Sequence, residues 1–319
     1  MAIDENDPGS RRDLEIGVIL PGIEAQIRDG LDLRTAARHA EDAGLDGVWH
    51  GDHLATGMPS LDCVIALATA AAVTTHIRIG ASVFVPGLRP LAWAAKQVAG
   101  LQYVTGGRLI LGVGSGGGPT QWAAAGIPYA ERGRRTDTAL DLLPRLLAGE
   151  PTRLPDEPGG PEMELAPSVP PPPIWVGNAS PVAIRRAARF ADGWFPSLVP
   201  NTQVAAGAAR LAELAAAHGR PVPTIALGAT GALGSGPGLP TRAEIASGFA
   251  GRYGIPLDQA LTLPITGGPQ EAAERLAACR AAGARHIVLG FAGAGWRAQC
   301  DLLAQAKALV DAGLSATSG

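Results

Sequence analysis

Cysteine is sparse in this sequence: only Cys63, Cys279 and Cys300 occur in 319 residues, far apart and odd in number. The count argues against a disulfide framework, and the spacing excludes a C-x-x-C redox or zinc motif. Each lies in an apolar helical pattern, so buried thiols in a reducing compartment are expected. An excess of one charge is missing too. Lys+Arg number 26 against Asp+Glu 29, for a net −3 with the signs mixed along the chain. That balance leaves no basic stripe for nucleic acid and no polybasic amphipathic helix for a membrane surface. No run of about 18 or more apolar residues exists to span a bilayer. The polar start, residues 1–13, lacks the apolar stretch of a secretory signal and is expected to be disordered, with the cytoplasm as the expected location. No period of about 20–50 residues recurs, which excludes a solenoid.

What is present is apolar material and chain-turning residues: 46% hydrophobic, with Gly 43 and Pro 27. Short β-branched runs alternate with longer Ala/Leu-rich helical runs. Strands are expected at Glu15–Leu20, Gly47–Trp49, Ile77–Val85, Leu109–Val113, Ile174–Gly177, Gly193–Pro196, Thr224–Leu227 and His286–Gly290. Helices are expected at Leu33–Ala43, Asp62–Thr74, Leu91–Val104, Arg134–Ala148, Pro181–Phe190, Thr202–His218, Pro269–Ala282 and Trp296–Val310. Gly44 and Gly283 stand where helix C-terminal glycines belong, and Ser180-Pro181 reads as an N-cap followed by proline at the first helical position. Eight strands, each followed by a helix, predict an α/β fold of the closed (β/α)₈ TIM-barrel type with insertion loops. A doubly wound sheet is disfavoured because no glycine fingerprint follows the first strand, which ends in Pro21-Gly22. Gly149–Pro173, ending in four prolines, reads as an extended surface excursion, and Gly228–Pro240 as a glycine-rich one. Thr241–Tyr253 suggests an additional helix and Leu263–Ile265 a short extra strand.

In such a barrel the working face lies at the strand C-termini. The second strand runs into His50-Gly51-Asp52-His53, bringing a carboxylate and an imidazole to the mouth. A histidine exchanges protons near neutral pH, and a neighbouring carboxylate can orient it. Asp52 and His53 are therefore the catalytic candidates, against the plainer reading of a solvated turn. A metal site through His50, Asp52 and His53 is too crowded and lacks a further His or Cys cluster. The fourth strand runs into Gly114-Ser115-Gly116-Gly117-Gly118, whose glycines let the backbone approach a phosphate or a planar ring, although such a run taken alone is more often a flexible loop. The fifth leads through Gly177-Asn178-Ala179 into a helix start that an anion could occupy, although read alone it is more simply an ordinary N-cap. Trp49 and Trp194 are expected at strand ends, where they could line the pocket. Arg132, Arg134 and Arg135 read more simply as the charged start of a solvated helix than as phosphate ligands.

Four blocks, in this order and spacing, make the chain resemble the bacterial luciferase-like monooxygenase family. The first is Ala40-Glu41-Asp42-Ala43-Gly44 leading to Trp49 and Asp52-His53, and the second Ile77-Arg78-Ile79-Gly80 leading to Ala95-Lys96-Gln97. The third is Thr105-Gly106-Gly107-Arg108-Leu109 leading to Gly114-Ser115-Gly116, and the fourth Pro173-Ile174-Trp175-Val176-Gly177 leading to Ala191-Asp192-Gly193-Trp194. Gly267-Gly268-Pro269 with Ala273-Glu274-Arg275-Leu276 closes the match, which covers nearly everything from Leu14 onward.

The resemblance implies a single barrel domain over residues 14–319 that binds FMN or the deazaflavin coenzyme F420 at its mouth. It implies a bulge with a non-proline cis peptide at Ser82-Val83 beneath the ring. Phosphate contacts carry over to Gly114, Ser115 and Gly116 and to Gly177, Asn178 and Ala179, and His53 becomes a proton donor or acceptor beside Asp52. Departures stand at Ala81, at Leu88-Arg89-Pro90 and at Gly117-Gly118-Pro119, and they bear on which cofactor tail is held. The glycine-rich, Ala- and Arg-heavy composition is similar to deazaflavin-using members, so coenzyme F420 is the expected cofactor, FMN the alternative. The expected reaction is hydride transfer with a small organic substrate, in a homodimer without nucleic-acid or membrane partners. An FMN-dependent monooxygenase using O₂, a barrel that binds flavin without turnover, and a phosphate-binding isomerase or aldolase are the rivals. The last needs a Lys or Glu at a strand tip, and none presents itself.

Overall fold

The computed structural model describes residues 14–54, 57 and 59–313, so the polar start expected to be disordered lies outside the described residues. Eight strands close into a parallel barrel. They are β1 (Glu15–Ile19), β2 (Gly47–His50), β3 (Arg78–Phe84), β4 (Leu109–Val113), β5 (Ile174–Gly177), β6 (Gly193–Phe195), β7 (Thr224–Leu233) and β8 (His286–Phe291). Each pairs with the next, and β8 returns to β1 and β7 to β6, so no barrel edge remains. The crossover helices are α1 (Leu33–Asp42), α2 (Cys63–Ala71), α3 (Leu91–Val104), α4 (Arg132–Leu147), α5 (Pro181–Phe190), α6 (Asn201–Ala217), α7 (Pro269–Ala281) and α8 (Trp296–Asp311).

The two faces of each strand supply two apolar layers. Ile16 and Val18, Leu109 and Leu111, Ile174 and Val176, and Ile287 and Leu289 pack outward with the helices. Trp49, Ile110, Trp175, Phe195, Ala226 and Val288 pack inward. That is the double burial that makes parallel strands read as continuous apolar runs. The inner layer is unusual in being filled by aromatic rings: Trp49 and Trp175 stack at 5.2 Å with 24° between planes. Room for them comes from glycine on the neighbouring strand at the same level. Trp49 is in register with Gly80 and Trp175 with Gly193. A Cβ at either glycine would lie inside the adjoining indole. His286 closes the floor of this layer, edge-on to both tryptophans, with its Nδ1 2.9 Å from Glu15 Oε2.

Local signals explain the helix bounds. Asp32 and Asp62 cap α1 and α2 by accepting from Thr35 N and Ile65 N. Ser180 caps α5 ahead of Pro181, and Gly44 takes a φ of +81°, a conformation L side chains rarely adopt, to end the turn after α1. Cys63, Cys279 and Cys300 are buried and free.

Two expectations about the excursions need correction. Residues 228–233 do not form a loop: β7 runs through them, because β8 pairs with it up to Phe291 and Ile265–Gly267 adds a parallel strand along Gly231–Leu233. The Thr241-led helix, Arg242–Tyr253, carries a full capping box with Glu244. Residues 149–173 contain a small hairpin, Thr152–Arg153 with Glu162–Met163, and lie along α3. Glu157 Oε1 accepts Leu91 N at the otherwise uncapped start of α3, and Gln102 Nε2 donates to Pro170 O. Among the described residues three α-helices were not foreseen, Ile23–Asp29, Pro119–Ala124 and Leu257–Ala260. Among the described residues no helix is long and apolar enough to cross a membrane.

Candidate active site

The strand C-termini surround a cavity of about 850 Å³. Its floor is Val83. Between Ala81 and Phe84 the β3–β4 register shifts, and the Ser82–Val83 peptide is cis, as the resemblance implies. This bulge turns the Val83 side chain over the barrel axis, where only glycine fits beside it: a Cβ on Gly177 would stand 2.9 Å from Val83 Cγ1, and one on Gly114 would collide with Cγ2. Ser82 lines the same cavity, and its Oγ is buried with no hydrogen-bond partner among the described residues. A buried hydroxyl without a partner is costly.

Asp52 and His53 both reach the cavity but differ in state. Asp52 is 7% exposed; its Oδ2 accepts Val85 N at 2.9 Å and Arg89 Nη2 at 2.6 Å. Arg89 is itself held, with Nη1 donating to Gln97 Oε1 at 3.1 Å and its guanidinium 4.5 Å from the Phe84 ring centroid. The carboxylate therefore ties the β2 tip to the chain just past the bulge. That geometry suits a positioning group better than the catalytic one expected. His53 is exposed, its ring lies against Gly51, and among the described residues its imidazole makes no hydrogen bond or ion pair. It lines the cavity together with Asp52. His50 alternates outward from Trp49 into the wall, where its Nδ1 donates to Gly51 O at 2.8 Å and burial pushes its pKa down. The described residues contain no group of three or more His, Cys, Asp or Glu placed to hold a metal ion.

The glycine loop behaves as a wall. Gly114, Ser115 and Gly116 line the cavity, Gly116 at a φ of +73° with Trp122 packed beneath it. Gly177 and Asn178 line it from β5. Asn178 holds a φ of +85°, its Oδ1 accepts Ser180 N, and Trp194 Nε1 donates to its carbonyl. Ala179 is not among the lining residues; it packs half-buried against the outer core. Nor do the two tryptophans reach the mouth. Trp49 is sealed in the inner layer below the floor and Trp194 faces the helices. Arg134 pairs with Asp156 and Glu131, Arg135 donates to Gly87 O, and Arg132 stacks on Tyr129, none of them on the cavity.

Sequence reasoning missed several lining residues. Gln121 accepts Leu54 N at 2.9 Å and so joins the turn after β2 to the helix after the glycine loop. Phe249, Arg252 and Tyr253 of the Arg242–Tyr253 helix, with Thr230 of β7, form the opposite rim. Arg89 carried a visible signal in Leu88-Arg89-Pro90; the rim helix carried none. Residues 149–173, the proline-rich excursion, contribute nothing to the lining.

The sequence profile of the luciferase-like monooxygenases matches residues 18–238. The chain belongs to the luciferase-like monooxygenase family. A curated relative, an uncharacterised protein of Mycobacterium bovis, is 36% identical over 140 residues, which is 43% of this chain and 48% of that protein. The chain thus aligns with about half the length of such a relative. Among solved structures, an F420-dependent secondary alcohol dehydrogenase in complex with an F420–acetone adduct superposes with a TM-score of 0.76 at 16% identity, covering 93% of this chain and 99% of that one. The FMN complex of the oxygenating constituent of 3,6-diketocamphane monooxygenase from Pseudomonas putida superposes at 0.70 with 17% identity, covering 91% and 96%. At such identities the likeness is one of fold, and the luciferase-like barrel is shared throughout.

Proposed function

We propose that this luciferase-like protein is an oxidoreductase that transfers hydride between a small organic substrate and coenzyme F420, with FMN as the alternative cofactor. The observation that carries the reading is the Val83 floor, with the orphaned Ser82 Oγ in a glycine-walled mouth open to solvent. A flat ring with polar edges would cover the floor and give that hydroxyl a partner. The volume falls within the usual range for ligand pockets, about 300–1,000 Å³. Both an F420-bound and an FMN-bound protein share the fold.

The residues present fit such a group. In Gly114–Gly116 the backbone N–H groups of Ser115 and Gly116 and the small Ser115 hydroxyl would meet a phosphorylated tail, while the Gly114 N–H is taken by Phe84 O, and Gly177–Asn178, locked by Trp194, faces it from β5. When bound, the cofactor supplies the electron-pair chemistry, as cofactors of this class do. The chain orients it, and His53 Nε2 or Nδ1 takes up or delivers the substrate proton. Asp52, neutralised by Arg89, holds the β2 tip and the bulge in register. The competing reading, an FMN monooxygenase using O₂, is favoured by likeness to monooxygenases, the camphane enzyme among them.

Titration of the purified chain with FMN and with F420, each oxidised and reduced, tests the reading. Micromolar binding of F420 alone supports it, binding of FMN alone transfers it to the alternative, and binding of neither removes the redox function.

A further inference from the structure

A side chamber of about 290 Å³ adjoins the mouth, bounded by the outer face of β7, the start of α6 and the middle of α7. Leu198 and the 228–230 stretch of β7 line both spaces. Arg275 of α7 lines the chamber. It donates through Nη2 to Thr262 O, while its Nε is buried and without a partner. Arg242 stands close by and donates to Pro264 O at 2.9 Å. Burial first, and then the charge of Arg275, pulls the Arg242 pKa down. Two guanidiniums thus crowd one segment, each joined only to backbone carbonyls, and among the described residues neither is in an ion pair.

Crowded cations in a partly desolvated place are unfavourable unless an anion joins them. The rest of the chamber is suited to one. α6 starts at Asn201 with no capping side chain and no acidic residue in its first turn, and Asn201 and Thr202 line the space. The Asn201 Oδ1 atom, the acceptor that would repel an anion, is turned to Cys279 Sγ at 3.4 Å. Thr202 and Thr230 add hydroxyl donors. Among the described residues no Asp or Glu lines the chamber; Leu198, Val199, Leu227, Leu263 and Ile265 make the rest of its wall apolar, so the polar groups gather at the Arg275 and α6 side.

We propose that this chamber is a subsite for an oxyanion, a phosphate or carboxylate group carried by a small substrate, with Arg275 as its principal ligand. The group would sit behind Thr230 while the reacting part of the molecule lies in the mouth. The existence of the subsite is independent of the cofactor; its assignment to the substrate rests on the function proposed above.

Calorimetric titration of the full chain with inorganic phosphate, and separately with malonate, tests this. It is run with and without whichever cofactor binds, so that anion contacts at the β4 and β5 tips are covered in one arm. Saturable binding that persists with cofactor present is expected, and the preferred anion names the group. Arg275→Gln should weaken it by about tenfold or more, the loss of one charged hydrogen-bonding partner. Thr202→Glu should abolish it while leaving the fold intact, since a carboxylate in the first helical turn is favourable. Cofactor affinity should be native in both variants. Native-like anion affinity in either folded variant, or no saturable binding of either anion to the unaltered chain, overturns the proposal. Failure of both cofactors to bind would count against the redox reading alone, because the cofactor-free arm with the two variants still decides the subsite.

Discussion

Replacing Arg89 by Gln removes the cation that holds Asp52, and the structure sets the size of the loss. Asp52 and Arg89 side chains are 6% and 18% exposed, and their atoms meet at 2.6 Å. Breaking a buried pair by deleting one partner costs about 3–5 kcal/mol, because the other charge stays buried. Here Asp52 keeps the Val85 N–H and borders the open mouth, so a loss somewhat below that range, about 2–3 kcal/mol, is expected. Urea unfolding followed by far-ultraviolet circular dichroism and by tryptophan emission measures it, with Trp49 and Trp175 reporting the barrel interior. If the two probes coincide, the midpoint shift converts to free energy. Asp52→Asn retains an acceptor for Val85 N, so Asp52→Asn/Arg89→Gln should cost clearly less than the two single changes added, by about 1.5 kcal/mol. Cofactor affinity should fall with Arg89→Gln and recover partly in the double variant, since the pair anchors the chain next to the Ser82–Val83 floor. Strict additivity, with a single-variant loss below about 1 kcal/mol, would mean that the pair holds nothing in place.

Gly80→Ala drives a Cβ into the Trp49 indole, which is already stacked on Trp175, and should destabilise the barrel by about 3 kcal/mol in the same unfolding assay. Adding Trp49→Leu should restore part of that, and a neutral Gly80→Ala would show that the inner layer is loosely packed. Burial alone would raise the Glu41 carboxyl, but N–H donors from His76, Ile77 and Thr75 outweigh it and hold it below its ordinary value near 4.5. A depressed folded-state pKa gives stability that is present above about pH 4.5 and lost as the pH falls through the folded value. Glu41→Gln should therefore lower the melting temperature at pH 7 and flatten its fall below pH 4.5; an unchanged acid limb would remove Glu41 from the account. His53→Ala should bind cofactor normally and lose about 10²–10⁴-fold in kcat, with partial recovery in added imidazole. Full turnover in that variant would take the proton role away from His53.

Some of the protein was legible because its signals are local. Leu91–Val104 and Pro181–Phe190 have the bounds their patterns indicate, since Pro90 and Ser180-Pro181 mark the starts chemically. The Ser82–Val83 cis peptide, too, was legible by likeness of the surrounding blocks. Residues 228–233 were misread because glycine-rich chain has little intrinsic strand preference. There the ladder comes from β8 and Ile265–Gly267, both of which arrive later in sequence. His50 and Trp49 could not be told apart as wall or interior until the barrel closed, because the alternation of period two has no absolute phase in a four-residue strand.

By itself, then, the sequence determined the order of the eight barrel strands and of the crossover helices between them, several of their caps, and the small set of glycine-bordered tips where chemistry belongs. These depend on neighbours within a few residues, which any stretch of chain can read. Only the tertiary structure decided that Arg89 takes the charge of Asp52 from 37 positions away, that the His53 ring is left without a partner among the described residues, and that residues 149–173 serve α3 rather than the mouth. Only it brought Arg275 and Arg242 together over one small chamber. Closure of the barrel sets every inter-strand register at once, and charge partners are chosen by distance in space, on which sequence separation places almost no constraint.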